Sequence, residues 1–198
     1  MKQNATFILG SGSPRRRDLL SQAGYQFDVQ VSKAEEMDAA DLDVRELTKL
    51  NAKLKAEEVA ERFPDAVVLG ADTLVTIDGQ ILGKPADREA ALEMIRQLNG
   101  RTHQVMTGVY LMQKEPFSCL EHCEVSDVSF KSLSAEELVK YHELIDPMDK
   151  AGAYAAQEHG EVIIGKTGGS WSNVVGLPME TVKTMLEEFS IYPDPALT

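Results

Sequence analysis

The sequence predicts an α/β protein built on a mixed sheet flanked by helices. Segments of helical period alternate with short apolar runs, and one pair of runs is joined by Asp78-Gly79, a dipeptide suited to the positive φ angles of a tight hairpin. No repeat, low-complexity stretch or linker interrupts the 198 residues. A hairpin inside an otherwise alternating order calls for antiparallel pairs beside parallel ones.

The elements follow in order. Thr6-Phe-Ile-Leu-Gly10 is an apolar run entering a Gly-Ser-Gly-Ser loop, hence a strand and its exit. Ser13-Pro14 opens a helix, with Ser13 as N-cap, Pro14 at the first helical position, Leu19 and Leu20 inward, and Gly24 as terminator. Residues 25–31 read as extended. Residues 43–63 carry helical periodicity, with Leu47, Leu50, Leu54 and Val59 on or near one face. Ala66-Val-Val-Leu69 is a buried strand, and residues 73–77 and 80–82 are the arms of the hairpin. An amphipathic helix over 87–98 closes at Asn99-Gly100. Two strands follow near 102–113 and 120–131. Ser134 then caps a helix, with Glu137 placed for a capping box. A strand near 161–165 precedes Gly168-Gly169, Pro178 opens the last helix, and the tail Tyr192-Pro-Asp-Pro is expected to fray.

Composition narrows the function. Hydrophobic content of 43% and charged content of 26% suit an ordinary globular protein. No apolar run approaches the ~20 residues of a membrane span, and residues 1–13 lack a secretory core, so the expectation is a cytoplasmic protein without a membrane partner. The net charge of -12 repels polyanions and argues against a nucleic-acid partner, including the reading of residues 15–24 as a DNA recognition helix. A few clustered cations can still make a local anion pocket. Cys119 and Cys123, four apart on an expected strand, share a face but lie ~13 Å apart, too far for a disulfide or a shared metal.

Four segments carry chemistry. Ser11-Gly-Ser-Pro-Arg-Arg-Arg joins a loop to a helix N-terminus, where free N–H groups and the positive dipole end attract an anion. Arg15, Arg16 and Arg17 oppose that dipole at a cost of ~0.3–1 kcal/mol each, which a bound phosphate would remove. The plainer reading is a solvated basic first turn. In Gly70-Ala-Asp72-Thr73, an aspartate just past a buried strand can serve as base or metal ligand; alone, a turn aspartate bonding its own backbone is the commoner case. Lys84 in Gly83-Lys-Pro85 can aim at a phosphate from a proline-fixed bend, though most such lysines are merely exposed. Gln157, closing Lys150-Ala-Gly-Ala-Tyr-Ala-Ala-Gln, can read a base edge with its paired donor and acceptor, or simply fill a turn.

These segments, with Gly100-Arg-Thr-His-Gln-Val-Met-Thr-Gly and Val174-Val-Gly-Leu-Pro-Met-Glu-Thr, stand in the order of the Maf family of nucleoside triphosphate pyrophosphatases, which the chain resembles along almost its whole length. The resemblance implies one Maf-like domain over 1–198. Its fold would be a mixed, curved sheet flanked by helices, in two lobes around a central cleft (Maf/ITPase-like), usually as a homodimer. It implies hydrolysis of a nucleoside triphosphate to monophosphate and pyrophosphate with a divalent metal cation, Mg²⁺ or Mn²⁺. Arg15, Thr73 and Gln157 match the branch that cleaves dTTP and UTP. The branch acting on 7-methyl-GTP carries an aromatic after Ser-Pro and a glutamate near Gln157 instead.

Role by role, the resemblance assigns Ser11, Ser13, Arg15 and Arg16 to the phosphates, and Thr73 and Gln157 to the base. Asp72 becomes general base or metal ligand, Glu36 metal ligand with Glu35 as neighbour, and Lys84 a phosphate lysine. The last lysine is Lys55 or Lys53, the pattern in Asn51-Ala-Lys-Leu-Lys-Ala fitting Lys55 better. In-line displacement at phosphorus needs the triphosphate charge clamped and partly neutralised, as such a set would do. The alternatives are the same reaction on 7-methyl-GTP or CTP, and a non-catalytic nucleotide-binding regulator of cell division. Retention of both Asp72 and Glu36 favours turnover over binding alone.

Overall fold

The computed structural model describes residues 6–38 and 42–197, so residues 1–5 of the N-terminal stretch judged above lie outside the described residues. The strands are β1 (Phe7–Leu9), β2 (Asp28–Val29), β3 (Val67–Ile77), β4 (Gln80–Leu82), β5 (Thr102–Gln113), β6 (Ser118–Phe130) and β7 (Ile164–Gly168). The helices are α1 (Pro14–Gln22), α2 (Val44–Arg62), α3 (Arg88–Leu98), α4 (Ala135–Leu144), α5 (Gly160–Ile163), α6 (Trp171–Val175) and α7 (Met179–Glu188), with a 3-10 turn at Ala151–Ala153. The strands form one sheet in the order β2-β1-β3-β5-β6-β7, with β4 on β3. β1 runs parallel to β2 and β3, while β3–β4 and β6–β7 are antiparallel, so the sheet is mixed as the hairpin required. By contacts the chain divides into two compact units, 1–72, 107–124 and 176–198 against 73–106 and 125–175. β3, β5 and β6 supply residues to both.

In the first unit, period-two alternation sorts the strands onto two layers. Phe7, Leu9, Val67, Leu69, Ala71, Val109 and Leu111 pack with Leu20 of α1 and Val182 and Leu186 of α7. Ile8, Val68, Tyr110 and Met112 face Ala52, Ala56, Val59 and Ala60 of α2. Here α2 departs from the expected leucine face: Leu50 and Leu54 are only half-buried, and the buried stripe holds Thr48, Asn51, Ala52, Ala56 and Ala60 besides Leu47 and Val59. Two glycines explain it. A Cβ on Gly70 of β3 would lie 2.1 Å from the Ala52 carbonyl oxygen, and one on Gly108 of β5 would lie 2.3 Å from the Thr48 carbonyl carbon. The helix backbone rests directly on the strands, leaving room for small side chains only.

The second unit gathers Val75, Ile77 and Leu82 with Ile95 and Leu98 of α3, Leu138 and Tyr141 of α4, and Val128 and Phe130 of β6. Its turn chemistry follows the sequence. Asp78 and Gly79 both take positive φ (52° and 76°), the type I′ requirement. Asp87 accepts from the Ala90 N–H, and Ser134 and Glu137 complete the capping box.

Three further expectations change. Residues 161–165 are not all strand: His159 takes a left-handed conformation (φ 57°) that opens the short helix α5, and β7 begins only at Ile164. The strand expected to end at Leu69 runs on to Ile77. The tail does not fray at Asp194, whose N–H donates to the Gly24 carbonyl at 2.7 Å and whose carboxylate accepts from Gln26 Nε2 at 2.8 Å.

His103 of β5 is enclosed edge-on by Phe130 and Tyr154, and its Nε2 shares a 3.0 Å hydrogen bond with the Tyr154 hydroxyl. Burial pushes its pKa down to about 4. The unfolded chain therefore binds a proton between pH ~6.5 and about 4 that the fold refuses, and stability rises with pH across that window and is lost as pH drops through it. The expected slope is up to about 1.4 kcal/mol per pH unit. Urea unfolding of the protein and of His103→Gln from pH 4 to 7 measures it; the variant is expected to lose this component.

Candidate active site

The loop after β1 is fixed by its backbone: the Gly10 N–H donates to the Leu69 carbonyl at 2.8 Å. Ser13 takes the extended N-cap conformation of α1, but its side chain caps no N–H, and Pro14 follows at the first position. The three arginines diverge. Arg17 is exposed beside Asp18 at 3.6 Å, and Arg15 is half-buried. Arg16 turns inward, donating through Nε to the Gly176 carbonyl (2.9 Å) and through Nη1 to Ser11 Oγ and the Ala71 carbonyl (both 3.0 Å). Burial lowers its pKa, while the negative charges of Asp72 and Glu36 oppose that shift. Ser11, itself buried, is thus held by Arg16 and by the Ser13 N–H at 3.3 Å.

Asp72 does not sit just past the end of a strand, as the apolar run to Leu69 suggested; it lies inside β3. Alternation points Val68, Gly70 and Asp72 toward α2, and the close approach at Gly70 carries one turn of that helix onto the carboxylate. Lys55 Nζ donates to Asp72 Oδ1 at 2.7 Å and, at the same distance, to Glu36 Oε1. One ammonium, its side chain 14% exposed, therefore joins a buried carboxylate to a solvent-facing one. Of the paired candidates, Lys53 instead pairs with Glu57 along its own helix at 3.7 Å, and Glu35 is exposed.

Asn51 was missed by the sequence reading. Its amide accepts from the Met37 N–H (2.8 Å) and donates to the Met37 carbonyl (3.2 Å), copying a strand partner and fixing the segment that carries Glu36. Its Nδ2 also approaches Asp72 Oδ2 at 3.5 Å. The available signal was spacing: Asn51 and Lys55 stand i, i+4 on one helix face.

Among the described residues no three His, Cys, Asp or Glu side chains gather for a metal. Two carboxylates sharing one cation do fit a hard ion of the Mg²⁺ or Mn²⁺ kind, which takes few protein oxygens and completes its shell with water and phosphate. Cys119 and Cys123 are free thiols on β6.

The remaining candidates belong to the second unit. Thr73, half-buried, follows Asp72 in β3 with the opposite facing. Lys84 is exposed in the bend after β4 and makes no ion pair with a described residue. The Gly152 N–H donates to the Gly83 carbonyl at 3.1 Å, tying the Gly83-Lys84-Pro85 loop to the segment leading to Gln157. That segment is clamped from α4. The Tyr141 hydroxyl both donates to the Ala155 carbonyl and accepts from its N–H (3.0 Å each), and His142 Nε2 donates to the Ala153 carbonyl. Gln157 itself is exposed.

Comparison with known proteins places the chain in a family. A family model described as Maf-like protein matches residues 6–189. A protein of Akkermansia muciniphila called dTTP/UTP pyrophosphatase is 45% identical over 179 residues, covering 90% of this chain and 94% of that one. One of Bacillus velezensis with the same name is 43% identical over 187 residues, covering 93% and 96%. Among solved structures, the Staphylococcus aureus Ham1 protein superposes with a TM-score of 0.53 at 14% identity, over 92% of this chain and 98% of that one. That likeness speaks for the fold alone.

Proposed function

The chain belongs to the Maf family, and on that premise we propose that it hydrolyses dTTP and UTP to the nucleoside monophosphate and pyrophosphate. One observation carries the chemistry: a buried carboxylate, Asp72, is gripped by Lys55 beside Glu36, close to the start of α1, where Arg16 feels both negative charges. In this reading Asp72 takes the proton of a water that attacks the α-phosphorus. The bond from that phosphorus to the bridging oxygen breaks, the water oxygen stays on the monophosphate, and pyrophosphate leaves with the electron pair. Lys55, Lys84 and Arg15 counter the phosphate charge, and Ser11 and Ser13 orient the phosphate oxygens. Arg16 keeps Ser11 in place. Glu36 and Asp72 would hold a Mg²⁺ or Mn²⁺ ion, which supplies further charge neutralisation when bound. Thr73 and Gln157 select the pyrimidine, Gln157 pairing with O4 and N3–H of uracil or thymine.

The proposal extends to a cytoplasmic homodimer; no helix of the described residues is long and apolar enough to cross a membrane. Pyrophosphate release with Mg²⁺ or Mn²⁺ from dTTP, UTP, 5-methyl-UTP, CTP, 7-methyl-GTP, ATP and GTP tests it. Fast release from dTTP and UTP is expected. Release chiefly from 7-methyl-GTP or CTP would overturn the pyrimidine assignment, and nucleotide binding without turnover would overturn the hydrolase.

A further inference from the structure

The second unit contains a concavity of about 690 Å³, large enough for a nucleoside, lined by Gln157, Gly165, Lys166, Thr167 and Trp171 among others. Its wall combines two kinds of uncommitted surface. The Gln157 amide and the Lys166 and Thr167 side chains make no hydrogen bond or ion pair with a described residue. Trp171, the chain's single tryptophan, is 46% exposed at the start of α6, while Asn173, Val174 and Val175 of the same helix are buried. A large indole kept at the surface of a pocket beside an unpaired amide is suited to a flat, polar-edged ring: the indole takes the face and the amide takes the edge.

We infer that Trp171 is the stacking platform for the pyrimidine ring of the substrate, with Gln157 reading the edge of the same ring. This rests on the dTTP/UTP reading above and adds a residue to it. The clamps from Tyr141, His142 and His103 onto residues 153–155 hold the backbone that carries Gln157, so the amide is presented from a fixed support. Stacking tolerates either pyrimidine because both offer a π face; discrimination between bases stays with Gln157 and Thr73.

The lone tryptophan makes the inference directly measurable. Titration with the α,β-methylene analogue of UTP, which cannot be cleaved at that bond, is expected to change Trp171 fluorescence saturably, while inorganic triphosphate, lacking a base, leaves it unchanged. Trp171→Ala is expected to raise KM for UTP and dTTP by about tenfold or more, with a much smaller fall in kcat, and Trp171→Phe to restore most of the loss. An equal response to nucleotide and triphosphate, no response to either, or an unchanged KM in Trp171→Ala would each overturn the stacking role. Those failures are separable from failure of the proposed function, which would appear as absence of pyrophosphate release by the unsubstituted protein.

Discussion

Asp72→Asn is expected to lower pyrophosphate release from dTTP and UTP about a thousandfold, while nucleotide affinity changes by less than about tenfold. The asparagine keeps the shape of the aspartate and can still accept from Lys55 at the Oδ1 position, now 2.7 Å away. It can neither take a proton from water nor offer full negative charge to a cation. Folding should survive, because Lys55 retains Glu36 at 2.7 Å and is not left as a buried, unpaired ammonium. The variant therefore separates chemistry from architecture. Initial rates of pyrophosphate release give the first number, and calorimetric titration with uncleavable UTP analogue gives the second. Parallel loss of both would make Asp72 an organiser of the surrounding cations; undiminished turnover would place the base elsewhere.

Much of this arrangement was legible because local chemistry and global fold agree at those positions. Ser134 and Glu137 form the box their spacing demands, and Asp78-Gly79 turns as its φ preferences require. The misreadings cluster where packing overrides local preference. The apolar run ends at Leu69, and Gly70 and Asp72 are poor strand formers, yet β3 continues to Ile77, with β1 beside Val67–Leu69, β4 beside Val75–Ile77 and β5 along its other edge. Leu47 and Val59 of the expected α2 face are buried, but Leu50 and Leu54 are not, because a sequence does not announce that two glycines on the strands will bring the helix backbone into contact. Asn51 escaped for the same reason. Its partners, Met37 and Asp72, lie 14 and 21 residues away along the chain and meet it only once α2 is seated. The segments that resembled a family were legible individually, but the cation shared by Glu36 and Asp72 was a matter of geometry.

Gly70→Ala is the second large effect, and it acts through that geometry. The new Cβ would fall 2.1 Å from the Ala52 carbonyl oxygen and 2.8 Å from the Ala56 nitrogen, both helix backbone atoms that cannot rotate away. Either α2 lifts from the sheet by more than an ångström or β3 buckles, and overpacking of this kind is expected to cost about 3 kcal/mol or more. Displacement of α2 also draws Asn51 and Lys55 off Asp72, so molecules that still fold should lose activity beyond the lost stability. Gly168→Ala is the matched control: its Cβ would meet only Asp127 Cβ at 3.7 Å, an ordinary contact, and stability should change little. Urea midpoints for both variants, with pyrophosphate release assayed well below the unfolding transition, give the comparison. Equal tolerance of the two substitutions would mean that α2 is not seated by Gly70. A destabilised but fully active Gly70→Ala protein would mean that Lys55 reaches Asp72 without that close approach.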